Sequence, residues 1–208
     1  DKSISHRAAI LACLANGETR IENYLQSETT HATLDGLRAL GAEIEQRDTT
    51  TIHIRGHGLR GLREPSAVMF CKGSGTTMRL LAGLCAGQDF LSILDGTPAL
   101  KRRPMARVIE PLQRMGAQIL GRDDNRFPPL AIRGGKLHGI EHTLNVASAQ
   151  VKSAILLAAL FADSPTIVRE PSASRDHTER MLKACGVELK IANCELRIQP
   201  ALQITIPN

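Results

Sequence analysis

A unit that occurs three times constrains this chain more than any other feature. Each copy has an apolar helix, a strand-like run, an amphipathic helix, a glycine and an alternating strand. In the first copy these are Ser5 to Asn16, Thr19 to Leu25, Thr30 to Leu40, Gly41 and the β-branched run Thr50 to Arg55. The second begins with Gly75 to Ala86, continues through Phe90 to Leu94 and a helix from Pro104 to Met115, and ends at Gly116. The third runs from Ser148 to Ala158, through Thr166 to Arg169 and a helix from Asp176 to Ala184, to Gly186. Each landmark glycine directly follows an amphipathic helix, where a left-handed C-cap favours a residue without Cβ. Helices alternating with strands point to an α/β fold. The apolar first helix of each copy belongs in the interior and the amphipathic second helix outside. The expected architecture is therefore one pseudo-threefold α/β domain over residues 1–208, packed on three buried helices. Its joints are expected at Gly56 to Gly61, at Phe127-Pro-Pro, at Gly134-Gly135 and at His138-Gly139.

With 208 residues, 42% of them hydrophobic, the chain can build a substantial core. A net charge of +5 suits an anionic partner. Nucleic acid is the weaker candidate, because four Phe, one Tyr and no Trp leave few stacking platforms, and no zinc-finger spacing occurs. A phosphorylated small molecule, which needs only a few converging cations, fits better. The five cysteines are scattered without a C-x-x-C pair, as in reduced, cytoplasmic proteins. No membrane partner is expected, since the longest purely apolar run, Ala154 to Ala162, is about half a membrane span. The chain opens on charged residues inside a motif, with no signal-peptide pattern, and reads as cut near a domain boundary.

Each apolar helix begins with an anion-friendly sequence: Lys2-Ser-Ile-Ser-His-Arg7, Lys72-Gly-Ser-Gly-Thr-Thr77 and Ser148-Ala-Gln150. Free N–H groups and the positive dipole end favour a phosphate or carboxylate there. Ser3 and Arg7, four residues apart on a helix, can converge on one ligand. Gly73 and Gly75 let backbone N–H groups approach a ligand, but the stretch lacks the G-K-[ST] ending of a nucleotide-binding loop. In Asp95-Gly-Thr-Pro-Ala-Leu-Lys-Arg-Arg-Pro104, Lys101 and Arg102 read as a solvated face. Arg103, by contrast, is held extended by the following proline and makes a suitable fork for phosphate. Ser174 or Asp176 can cap the last helix, with Glu179 near its third position. Neither a metal site nor a nucleophile elbow can be built from the histidines and serines present. The acids Asp95, Asp176 and Glu179 have turn or capping explanations, which leaves a binding half without an acid–base half.

These stretches together resemble the 5-enolpyruvylshikimate-3-phosphate (EPSP) synthase family. The resemblance rests on Lys2-Ser-Ile-Ser-His-Arg7, Ser74-Gly-Thr-Thr-Met-Arg79, Arg102-Arg-Pro-Met105, Ser148-Ala-Gln150 and Ser174-Arg-Asp-His-Thr-Glu179, and it covers essentially the whole chain. It implies a fold of two similar domains, each of three βαβαββ units, with the active site in the cleft between them. The implied reaction moves the enolpyruvyl group of phosphoenolpyruvate onto shikimate 3-phosphate, without a cofactor or metal. The implied partners are these two substrates and a second domain, missing from this chain, which carries the catalytic aspartate and glutamate.

Carried over residue by residue, the resemblance makes Lys2 a catalytic contact to both substrates and puts Ser3 and Arg7 on the carboxylate side of shikimate. Ser148, Ala149, Gln150 and Arg175 surround the 3-phosphate, with Ser174 beside them, and Gln150 reaches both ligands. Gly75 and Thr76 lie beside phosphoenolpyruvate, whose phosphate Arg103 grips. Glyphosate, which competes with phosphoenolpyruvate in this family, has room beside Gly75. The chain departs from the family at Gly73, where an asparagine is usual, and at Lys72, where a glycine is common.

Overall fold

A computed structural model describes residues 1–207 of the chain. The first helix, α1 (Lys2–Leu14), starts ahead of the expected Ser5 because the Asp1 carboxylate accepts the N–H of Ile4 at 3.1 Å and caps it. At its end Ala15 is already extended, so β1 (Asn16–Ile21) follows without a loop. This is why the strand lies earlier than its hydrophobic pattern suggests. After α2 (Glu28–Ala39) come β2 (Glu43–Gln46) and β3 (Ile52–His57), which complete an antiparallel sheet of order β1-β3-β2.

The second unit consists of β4 (Met69–Phe70), α3 (Gly75–Ala86), β5 (Leu91–Asp95), α4 (Ala106–Arg114), β6 (Gln118–Gly121) and β7 (Phe127–Arg133). The third consists of β8 (Glu141–Thr143), α5 (Ala149–Ala159), β9 (Thr166–Arg169), α6 (His177–Ala184), β10 (Leu189–Ala192) and β11 (Glu195–Ile198). Their sheets have the orders β4-β5-β7-β6 and β8-β9-β11-β10. In both, the first pair is parallel and the others antiparallel, so two units share one βαβαββ topology. The first unit repeats that order without the opening strand.

The landmark glycines behave as their positions suggest. Gly41, Gly116 and Gly186 all have positive φ, and at each the N–H bonds back to Arg38, Gln113 or Lys183 while the next residue bonds to Leu37, Leu112 or Leu182. This is the same paired C-cap three times. One expected joint starts inside a strand, with its turn only from Gly58 to Gly61, and another is itself a strand. Gly56 belongs to β3, where a side chain would overlap the carbonyls of Ala12 and Ala15. Phe127-Pro-Pro opens β7, but the ladder to both neighbours begins only at Leu130, so the prolines remove no ladder hydrogen bond. Pro104 likewise precedes α4, because the Met105 N–H is held by the Arg126 carbonyl at 2.8 Å and the helix begins only afterwards.

One contiguous core joins all three units. Helices α1, α3 and α5 are buried on nearly every face, and Cys13 and Cys85 pack inside them. Helices α3 and α5 cross in backbone contact, where a methyl group on Gly83 would overlap the Ala154 backbone. Gly83→Ala is expected to lower stability by about 1–3 kcal/mol, because an overpacked contact between two backbones has no side chain to move aside. The shift in the urea midpoint, at unchanged m-value, measures it.

Candidate functional site

Five of these six helices begin at one cavity. The starts of α1, α3 and α5 were the expected contributors, and α4 and α6 add theirs. The cavity holds about 560 Å³. Its lining takes Ser3 and Arg7 from α1, Thr76 and Arg79 from α3, and Ser148, Ala149 and Gln150 from α5. Arg103, Pro104 and Arg107 close one side, and Ser174, Arg175 and His177 the other. Every expected site residue except Lys2 and Gly75 is therefore in the lining, and no carboxylate is. Lys2 is exposed on the first turn of α1. Gly75 lies just behind the surface, where a Cβ would stand 2.7 Å from an Arg79 guanidinium nitrogen and 3.3 Å from one of Arg103.

Local chemistry fixes these side chains. Arg7 is 5% exposed, not a solvated basic end. Its Nε donates to Thr178 Oγ1 at 2.5 Å, and its terminal nitrogens donate to Ser153 Oγ at 2.6 Å and to the Ser3 carbonyl at 2.9 Å. Arg7 thus meets Ser3 at its backbone carbonyl and not at its hydroxyl. Gln150 ties α5 to α3 by accepting from Arg79 at 2.7 Å and donating to Thr76 Oγ1 at 3.1 Å. Arg103 is extended (φ −85°, ψ 132°), as its place before Pro104 dictates. Ser74 caps α3 by accepting the Thr77 N–H at 3.1 Å, and Ser148 caps α5. The Asp176 side chain makes no capping bond to α6.

The site is cation-rich and partly desolvated. The Arg79 pKa is lowered to about 10, first by burial and then by Arg107 and Arg103. Burial also lowers that of Arg7, with Glu179 opposing and Arg175 reinforcing. Guanidinium groups that face one another in this way are stabilised when an anion enters between them.

Sequence reasoning missed Arg107 altogether and passed over Arg79. Arg107 lies in the first turn of α4, four residues after the extended Arg103, and no local signal sets it apart from the other polar residues of that helix. His177, the first residue of α6, also lines the cavity. The departures at 72 and 73 sit apart from the lining. Lys72 has φ +51°, the region that favours glycine, and its ammonium pairs with Asp35 at 3.4 Å. Around Gly73 a Cβ would meet only Thr97 Oγ1, at 3.9 Å.

The family model described as EPSP synthase (3-phosphoshikimate 1-carboxyvinyltransferase) matches residues 1–204. The chain belongs to the EPSP synthase family. A 3-phosphoshikimate 1-carboxyvinyltransferase of Thermodesulfovibrio yellowstonii is 49% identical, the match covering 100% of this chain and 50% of that protein. One of Desulforudis audaxviator is 52% identical over 98% of this chain and 48% of its own length. The solved EPSP synthase of Acinetobacter baumannii superposes with a TM-score of 0.96 at 41% identity, covering 99% of this chain and 46% of that one. The chain thus spans about half the length of the EPSP synthases it matches.

Behind the cavity, His6 is fully buried, and its Nδ1 shares a 2.6 Å hydrogen bond with the Thr33 hydroxyl. Thr33 continues to Thr77 at 2.8 Å, and Thr77 to Ser74 at 2.7 Å, so a relay joins α1 to the start of α3. Burial, then Arg7, then Lys2 push the His6 pKa down to about 4 from 6.5. The unfolded chain binds the extra proton between these values. The contribution of a neutral His6 is therefore complete above pH 6.5 and is lost as the pH falls towards 4, by about 3 kcal/mol. Urea titrations of wild type and His6→Asn between pH 7 and pH 4 should show the wild type losing that much more stability.

Proposed function

We propose that this chain is the shikimate 3-phosphate-binding domain of an enzyme that transfers the enolpyruvyl group of phosphoenolpyruvate to the 5-hydroxyl of shikimate 3-phosphate, with release of phosphate. The observation that carries the proposal is a single cavity bordered by Arg7, Arg79, Arg103, Arg107 and Arg175, at five helix starts, without a lining carboxylate. Two phosphorylated anions placed side by side repel each other. Fixed guanidinium groups and N–H dipoles offset that repulsion and orient the attacking hydroxyl. In this reading Arg7, Ser148, Gln150, Ser174 and Arg175 hold shikimate 3-phosphate. Gly75, Thr76 and Arg103 take phosphoenolpyruvate, and Lys2 reaches both. Arg79 and Arg107 join the phosphoenolpyruvate side, since Arg103 and Arg107 both act on the charge of Arg79. Proton transfer falls to a second domain facing the cavity, in keeping with the half-length match and the absence of an acid from the lining. The cations converge on a cleft, an arrangement that suits small anions better than the extended backbone of a nucleic acid.

Two measurements test this reading. Titrating shikimate 3-phosphate into the chain is expected to shift the amide resonances around Lys2, Ser148 and Arg175, without turnover when phosphoenolpyruvate is added. Silence at millimolar ligand would overturn the binding assignment, and turnover would overturn the need for a second domain. In the complete enzyme, Gly75→Ala is expected to raise KM for phosphoenolpyruvate about tenfold or more, because the new methyl displaces Arg79 and Arg103 from their charge-assisted contacts. An unchanged KM in steady-state assays would place that substrate elsewhere.

A further inference from the structure

We propose that Lys152, Glu170 and Glu179 form a buried clamp that positions Ser174 and Arg175 for the phosphate of the bound substrate. The choice of that substrate rests on the function proposed above. Lys152 follows Gln150 by two residues on α5 but points into the protein, with its side chain 3% exposed. Its Nζ lies 2.5 Å from Glu170 Oε2 and 2.5 Å from Glu179 Oε1, on side chains 8% and 2% exposed. Glu179, expected to serve as a capping acid, is thus a buried ion-pair partner.

The clamp acts on a segment with little else to hold it. Between β9 and α6 the chain has no regular structure, and among the described residues the N–H groups of 172–175 donate to no protein acceptor. Glu170 anchors the root of this segment, since its own N–H donates to the Cys194 carbonyl at 2.9 Å. Its Oε1 accepts from Ser174 Oγ at 2.5 Å. Glu179 holds the other end, in the first turn of α6, beside the Thr178 that binds Arg7. One ammonium therefore joins the helix that carries Ser148 and Gln150 to both ends of the segment that carries Ser174 and Arg175.

The same cluster sets the charge behind the cavity. Two carboxylates face a single lysine, and Glu179 Oε2 has no hydrogen-bond partner. Glu179 opposes the loss of charge that burial imposes on Arg7. The protein thus offsets its buried guanidinium from the rear and leaves the ligand side free of acids. Lys152, Glu170 and Glu179 are not themselves part of the cavity lining, so their role is positioning.

Variants of Glu170 in the complete enzyme test the clamp. Glu170→Ala removes the partner of Ser174 but leaves Glu179 to pair with Lys152. Glu170→Asp keeps the charge and falls one methylene short of Ser174, so it serves if the alanine variant does not fold. Glu170→Gln can accept from Lys152 and donate to Ser174. The expected result is a rise of about tenfold or more in KM for shikimate 3-phosphate in the Ala or Asp variant, with KM for phosphoenolpyruvate and kcat nearly unchanged and substantial recovery in the Gln variant. Equal changes in both KM values, no change, or no recovery by Gln would overturn the clamp. If the wild-type enzyme fails to bind shikimate 3-phosphate by calorimetry, the functional reading fails by itself. The clamp is then read with inorganic phosphate as the probe: Glu170→Asp should weaken its binding about tenfold, and equal affinity would overturn the clamp.

Discussion

The close crossing of α3 and α5 at Gly83 and Ala154 is the contact on which the rest of the structure depends. Two buried helices can approach to backbone contact only where a side chain is missing. That approach brings their N-terminal turns within reach of one another, so that Gln150 can bond both Thr76 and Arg79. Helix α1 joins them through hydrogen bonds, by Arg7 to Ser153 on one side and by the His6–Thr33–Thr77 relay on the other. The cavity is thus a by-product of core packing. Its floor has the rigidity of the core and not the freedom of a loop.

Electrostatics then divides the molecule into a front and a back. Arginines from α1, α3, the approach to α4 and the approach to α6 face the cavity, while Glu170 and Glu179 lie outside its lining, buried and paired with Lys152. A carboxylate within the cavity would neutralise an arginine directly and compete with any anionic ligand. Placed behind, it lessens the cost of burying Arg7 without occupying the ligand's position. The cost remains visible in Arg79, whose charge is opposed by burial and by two neighbouring arginines.

Much of this was legible in the sequence, because the signals are local. The helix classes follow from periodicity, the three C-caps from glycine after an amphipathic helix, and the extended Arg103 from the proline that follows it. The match to five separated motifs located nearly all of the cavity lining. What could not be read depended on distant partners. Glu179 occupies a position that suits helix capping, and nothing nearby in sequence discloses a lysine twenty-seven residues earlier that buries it. Arg107 looks like a polar-face residue of an amphipathic helix, and only the tertiary position of α4 turns it toward a ligand. The early start of β1 was hidden because Ala15 ends one element and leads straight into the next.

The empty space around Gly73 has a consequence for how such a site can change. Most positions near the cavity are coupled to the core, so a substitution there alters folding and ligand contact together. At Gly73, chain neighbours aside, only a threonine hydroxyl lies within 4 Å of an added Cβ. Beside it, Lys72 directs its charge outward to Asp35. A residue introduced at 73 could lean toward the cavity mouth or away from it at little cost to stability. This gives the protein a place where ligand preference can drift over generations while the scaffold stays constant.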